Sequence, residues 1–81
     1  MNVTFHFYSI SKDLAGTREM TIALPERSTL SNALEVLYLQ MPVLEPLRNS
    51  TMYAVGLDYA TLDSLLPPDS TISLIPPVQG G

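Results

Sequence analysis

The sequence contains no cysteine, a single histidine, a single lysine and only four lysine and arginine side chains in 81 residues. Without a thiol there is no disulfide framework, no thiolate catalysis and no thiolate-held structural zinc, so any sulfur chemistry must use sulfur brought from elsewhere. His6 has no second imidazole or thiolate to share a metal with, and it reads as a strand-surface residue; no metal site is expected. No serine stands at a recognisable spacing from a histidine and an acid, and there is no glycine-rich phosphate loop. The eight carboxylates are scattered along the chain rather than paired, which suits solvated charge better than general acid–base work. The chain is therefore not expected to be catalytic alone.

Long apolar runs are missing as well. Nothing approaches the ~20 residues of a membrane-spanning helix, and Met1–Phe7 lacks the basic start and apolar block of a signal peptide, so a cytoplasmic location is expected. A net charge of −4 has the wrong sign for holding nucleic-acid phosphates or an anionic membrane. Neither is an expected partner, and a protein with a basic surface is favoured.

What is present fits one small domain, with 46% hydrophobic residues to form its core. Val3, Phe5 and Phe7 alternate with Thr4, His6 and Tyr8, which predicts a strand over residues 3–8 with one buried face. Ser9–Gly16 predicts a helical turn closing at Gly16, and Met20, Ile22 and Leu24 mark a second strand stopped by Pro25. Ser28-Thr29 supplies an N-cap for the clearest helix, whose stripe of Leu30, Ala33, Leu34, Leu37, Tyr38 and Met41 follows the helical period until Pro42. Residues 43–48 are expected to form another helical turn that buries Leu44 and Leu47. Thr51–Leu57 predicts a third strand and Asp58–Thr61 a turn with a short fourth. Leu62, Leu65 and Leu66 are expected to pack beneath a loop, and Pro67-Pro68-Asp69-Ser70 to turn into a last strand over Thr71–Ile75. The order predicts an α+β fold, a ubiquitin-like β-grasp with a mixed sheet of four to five strands covered by one main helix and its first and last strands side by side.

Residues 1–75 are thus expected to form the domain and 76–81 a tail. Pro76 and Pro77 fix φ and lack N–H donors, so they must leave the strand as a stiff extended arm, which reaches roughly 18–20 Å from Pro76 to Gly81. Gly80 and Gly81 put no side chain beside the terminal carboxylate, so the tip can thread a narrow channel, with Gln79 preceding it and Val78 as an apolar anchor. A carboxylate is a poor electrophile. Transfer onto the α-phosphate of ATP converts it to a mixed anhydride that sulfide or an amine can attack. The expected reaction site is Gly81, with Pro76, Pro77, Val78, Gln79 and Gly80 threading it into place.

Phe7-Tyr8-Ser9 running to Leu14-Ala15-Gly16, Leu24-Pro25, Ala54-Val55 and Pro76-Pro77-Val78-Gln79-Gly80-Gly81 together resemble the small, sulfur-carrying subunits of molybdopterin synthase and their thiazole-synthesis relatives, the MoaD/ThiS family. The resemblance covers essentially the whole chain. It implies that an adenylating enzyme of the ubiquitin-activating type uses ATP on Gly81, that a sulfur donor converts it to a thiocarboxylate, and that the tail enters the large synthase subunit to supply sulfur to a pterin precursor of the molybdenum cofactor. The chain itself binds no cofactor on this reading, and acts as the sulfur-donor subunit of a heteromeric synthase. Tyr8, Tyr59 and Ile75 match apolar positions that the family sets against the large subunit. The chain departs from the family at Pro67–Thr71, where relatives often carry an Asp-Gly-Asp-Glu-like turn, at Gly56, where asparagine is common, and at Gln79, which is larger than usual. The alternatives are a ubiquitin-like carrier supplying sulfur to thiazole, cysteine or transfer RNA, or a ubiquitin-like modifier joined to lysines.

Overall fold

The computed structural model describes residues 1–77. Strand β1 (Asn2–Phe7) leads into helix α1 (Ser9–Ala15), strand β2 (Glu19–Ala23), helix α2 (Leu30–Gln40), a 3₁₀ segment (Pro42–Ser50), strands β3 (Met52–Val55) and β4 (Asp58–Tyr59), and strand β5 (Thr71–Ile75). The sheet order is β2-β1-β5-β3-β4. β1 and β5 run parallel through the middle, pairing Phe5 with Ile72 and Phe7 with Leu74, while the other neighbours are antiparallel. The expected mixed sheet with adjacent first and last strands is therefore present, in its five-stranded form.

Local chemistry explains most boundaries. Thr29 caps α2 through a reciprocal capping box: its side chain accepts from the Asn32 N–H at 3.2 Å and Asn32 Oδ1 accepts from the Thr29 N–H at 2.9 Å. Such a cap stabilises a helix by about 1 kcal/mol. Gly16 closes α1 at φ 73°, the left-handed conformation that glycine adopts without a steric penalty. Gly56, at φ 63°, opens the two-residue Gly56-Leu57 turn that joins β3 to β4. Ahead of β5, Pro68 and then Asp69 at φ 61° occupy the centre of a turn closed by the Ser70 N–H donating to the Pro67 carbonyl at 3.2 Å. A proline followed by a left-handed residue is the φ pattern of a type II turn.

One face of the sheet meets α2 and the 3₁₀ segment. The core joins Val3, Phe5 and Phe7 of β1, Ile72 and Leu74 of β5, and the Leu30, Ala33, Leu34, Leu37 stripe of α2. Several expectations need correction here. Of the three leucines expected beneath the 62–66 loop only Leu66 is buried, held by its N–H to the Ser28 carbonyl, whereas Leu62 and Leu65 are 58% and 61% exposed. The loop is strapped to the start of α2 through its backbone, with Leu30 and Ser31 donating to the Ser64 and Leu62 carbonyls, so its leucines are free to face outward. Leu47, expected to be buried with Leu44, is only half-buried, at the far end of the 3₁₀ segment from the buried Leu44. The third strand is shorter than expected and leaves Leu57 fully exposed at the hairpin tip.

A polar contact ties α2 to the sheet: the buried hydroxyls of Tyr38 and Tyr53 share a hydrogen bond, and the Arg48 guanidinium lies 4.7 Å from the centre of the Tyr38 ring. Burial pushes both phenols above their ordinary range, and the bond to Tyr38 raises Tyr53 further. Above pH ~10 the unfolded chain releases these protons while the folded chain keeps them, so the unfolded state binds fewer protons and stability falls as pH rises. Below that pH the contribution is complete. The expected slope approaches about 1.4 kcal/mol per pH unit from Tyr53, with Tyr38 adding in the same direction. Thermal unfolding followed by far-ultraviolet circular dichroism from pH 9 to 11.5 checks this, and Tyr53→Phe should flatten the alkaline limb.

Candidate functional site

Strand alternation sends Phe5, Phe7, Ile72, Leu74 and Tyr53 into the core and their neighbours onto the other face of the sheet, which neither α2 nor the 3₁₀ segment covers. The register sets out that open face. Glu19, His6, Ser73, Ala54 and Tyr59 form one row across the strands, and Ile75 lies opposite Met52 in the next. Continuing the β1–β5 register by one residue sets Tyr8 beside Ile75. The 6.4 Å edge-to-face contact of the Tyr8 and His6 rings places Tyr8 on this face as well.

Tyr8, Tyr59 and Ile75, far apart in sequence, thus share one face at the end of the sheet where β5 finishes. Tyr8 and Tyr59 are 48% and 68% exposed, and Ile75 is half-buried. Met52, 54% exposed, lies opposite Ile75 on β3, the strand between β5 and the β4 of Tyr59, and is not singled out by the sequence reading. Its signal was available: Tyr53 points inward, so Met52 beside it must point outward. The row spans three strand spacings, about 14 Å.

The chain leaves the sheet in the middle of this row. β5 is paired with β1 as far as Leu74 and with β3 as far as Ile75, and Pro76 and Pro77, half-buried and outside any strand, end the pairing because neither has an N–H to give. The root of the tail is therefore fixed by two flanking strands. Val78, Gln79, Gly80 and Gly81, to which the threading and reacting roles were assigned, lie outside the described residues.

The electrostatics of the site are local. His6 Nε2 lies 3.0 Å from Glu19 Oε2 on the open face. Beside them a cavity of about 700 Å³ is lined by His6, Tyr8, Ser9, Lys12, Arg18 and Glu19. Among the described residues no group of three His, Cys, Asp or Glu side chains is placed to hold a metal ion, and no helix is long and apolar enough to cross a membrane.

A parallel central pair, one covering helix and an uncovered opposite face define the ubiquitin-like β-grasp class. Within that class the chain belongs to the ThiS family, whose model matches residues 5–81. It is 28% identical over 74 residues to the molybdopterin synthase sulfur carrier subunit of Arabidopsis thaliana, covering 91% of this chain and 77% of that one. Two solved structures share the fold. SAMP1 from Haloferax volcanii superposes with a TM-score of 0.91 at 21% identity, covering 100% of both chains. A protein–protein complex of subunits 1 and 2 of molybdopterin-converting factor from Helicobacter pylori contains a chain that superposes with a TM-score of 0.73 at 22% identity, again over 100% of both.

Proposed function

We propose that the chain is the sulfur-carrier subunit of a molybdopterin synthase and that the carboxyl group of Gly81 is its reacting group. In an activating enzyme a carboxylate oxygen attacks the α-phosphorus of ATP and pyrophosphate leaves. A sulfide-level donor then attacks the acyl carbon, AMP departs with the former carboxylate oxygen, and a thiocarboxylate remains. In the large synthase subunit that sulfur passes to a pterin precursor and water restores the carboxylate. The chain's own contribution is positional. Pairing of β5 with β3 fixes Ile75, Pro76 and Pro77 end the strand there, and Tyr8, Met52, Ile75 and Tyr59 offer the apolar centre of a docking surface.

The family match carries this reading, because it runs through the tail to Gly81. The name of the Arabidopsis relative supports the pathway, and the Helicobacter complex, with subunit 1 bound to subunit 2, supports a large-subunit partner.

Cysteine-free composition makes the test selective, since a thiocarboxylate would be the only thiol-like nucleophile on the protein. The full chain is incubated with its activating enzyme, ATP and sulfide, alkylated with iodoacetamide, and its intact and C-terminal peptide masses are measured. One ATP-dependent alkylation on the Gly81 peptide is expected. Oxidation of one of the four methionines adds nearly the same mass as exchanging oxygen for sulfur, but it creates no group that alkylates in this way. No ATP-dependent alkylation with competent partners would exclude the reading.

A further inference from the structure

Two of the four lysine and arginine side chains, Lys12 and Arg18, line the same cavity next to Tyr8. The others are placed elsewhere: Arg48 lies over the Tyr38 ring with Glu45 at 3.5 Å, and Arg27 lines a separate groove with Glu26 and Glu35. Among the described residues neither Lys12 nor Arg18 forms an ion pair. Glu19, the one carboxylate in the cavity wall, has an oxygen 3.0 Å from His6. With His6 neutral, two cations and one carboxylate leave this corner at +1 (2 − 1), on a protein whose net charge is −4.

We propose that this corner is a carboxylate receptor. An Asp or Glu side chain of the protein that docks on the open sheet face is taken between Lys12 and Arg18, and this sets the orientation in which that protein engages the tail. The inference rests on the docking role given above to the open face. A charge of +1 suits one carboxylate, whereas a phosphate dianion would face Glu19 with a charge in excess. The cavity also shares Tyr8 with the apolar row, so one partner can cover the row and reach the corner, the usual arrangement of an apolar centre with a charged rim.

Two experiments test this with the full chain. In stopped-flow association with the cognate large synthase subunit, the Lys12→Glu/Arg18→Glu double variant is expected to associate about tenfold more slowly than wild type at low ionic strength, the gap closing to within about twofold at high salt. Arg27→Glu/Arg48→Glu, with the same change in net charge, should stay within about threefold of wild type. Equal slowing by both variants, or none by the first, overturns the proposal. In the second experiment, amide shifts are followed by nuclear magnetic resonance during titration with a glutamate-rich peptide and, separately, with inorganic phosphate at matched ionic strength. Shifts centred on Tyr8–Lys12 and Arg18 with the peptide, weaker with phosphate and lost in the first variant, support the receptor. An equal or larger response to phosphate, or none to the peptide, contradicts it. If wild type fails to bind the large subunit, the functional reading falls, and the peptide titration still decides the corner.

Discussion

Deletion of Gly81 is expected to abolish thiocarboxylate formation and synthase activity while leaving the thermal midpoint of the domain unchanged. Losing one residue withdraws the carboxyl by about 3.3 Å in an extended tail. Misplacement of a reacting atom by only ~1 Å can cost about 100-fold in rate, so a fall of at least that size is predicted in both steps. Stability should not follow, because the deletion removes no side chain and the sheet bonding of β5 ends at Ile75. Measuring ATP-dependent alkylation, synthase turnover and thermal unfolding on one preparation separates the outcomes. Retained activity would mean that the terminal carboxyl is not the reacting group. A large fall in midpoint would mean that the residue is part of the packed domain.

The double substitution Met52→Asp/Tyr59→Asp should weaken binding of the large synthase subunit by about 100-fold or more, close to 2.7 kcal/mol, without unfolding the protein. Both side chains are more than half exposed on the open face, so the folded monomer loses little packing. In a complex their positions would be desolvated, and a carboxylate there would be buried against apolar surface unless it found a partner. Leu39→Asp is the control. Leu39 is 83% exposed on α2, the helix packed against the opposite face of the sheet, and its substitution should leave binding unchanged. Isothermal titration calorimetry of the three proteins, with circular dichroism for folding, reads the result. If Leu39→Asp weakens binding and the sheet-face pair does not, the partner sits on the helix side.

These expectations draw on parts of the fold that were legible in the sequence to different degrees. The Val3, Phe5, Phe7 alternation and the Leu30 to Tyr38 stripe identify their elements because each buries one continuous face, and burial of a face imposes a period. Gly16, the Thr29 cap and the Pro67–Ser70 turn are legible because backbone chemistry there depends on a few side chains in sequence. Leu62 and Leu65 were misplaced for the opposite reason. Their loop is anchored by backbone bonds to Ser28, Leu30 and Ser31, and hydropathy alone cannot separate a leucine held inward from one beside a backbone anchor.

The candidate site divides in the same way. Ile75 could be placed at the end of a strand from the two prolines after it, whereas its meeting with Tyr8 and Met52 depends on pairings between strands that are not neighbours in the chain. The grouping of Lys12 with Arg18 was not anticipated. They lie on either side of Gly16, one on α1 and the other just before β2, and only the turn through that glycine returns both to the end of β1.

Transfer of sulfur from the Gly81 carboxyl carbon to a pterin can be followed in a single turnover. The ³⁵S-thiocarboxylated chain is purified, mixed with the large subunit and the pterin precursor, and both the protein mass and the location of the label are followed. The protein is expected to return to its carboxylate mass as the label appears in the pterin, with neither event when the large subunit is omitted. Label that stays on the chain, or reaches the pterin equally well without the large subunit, would contradict it.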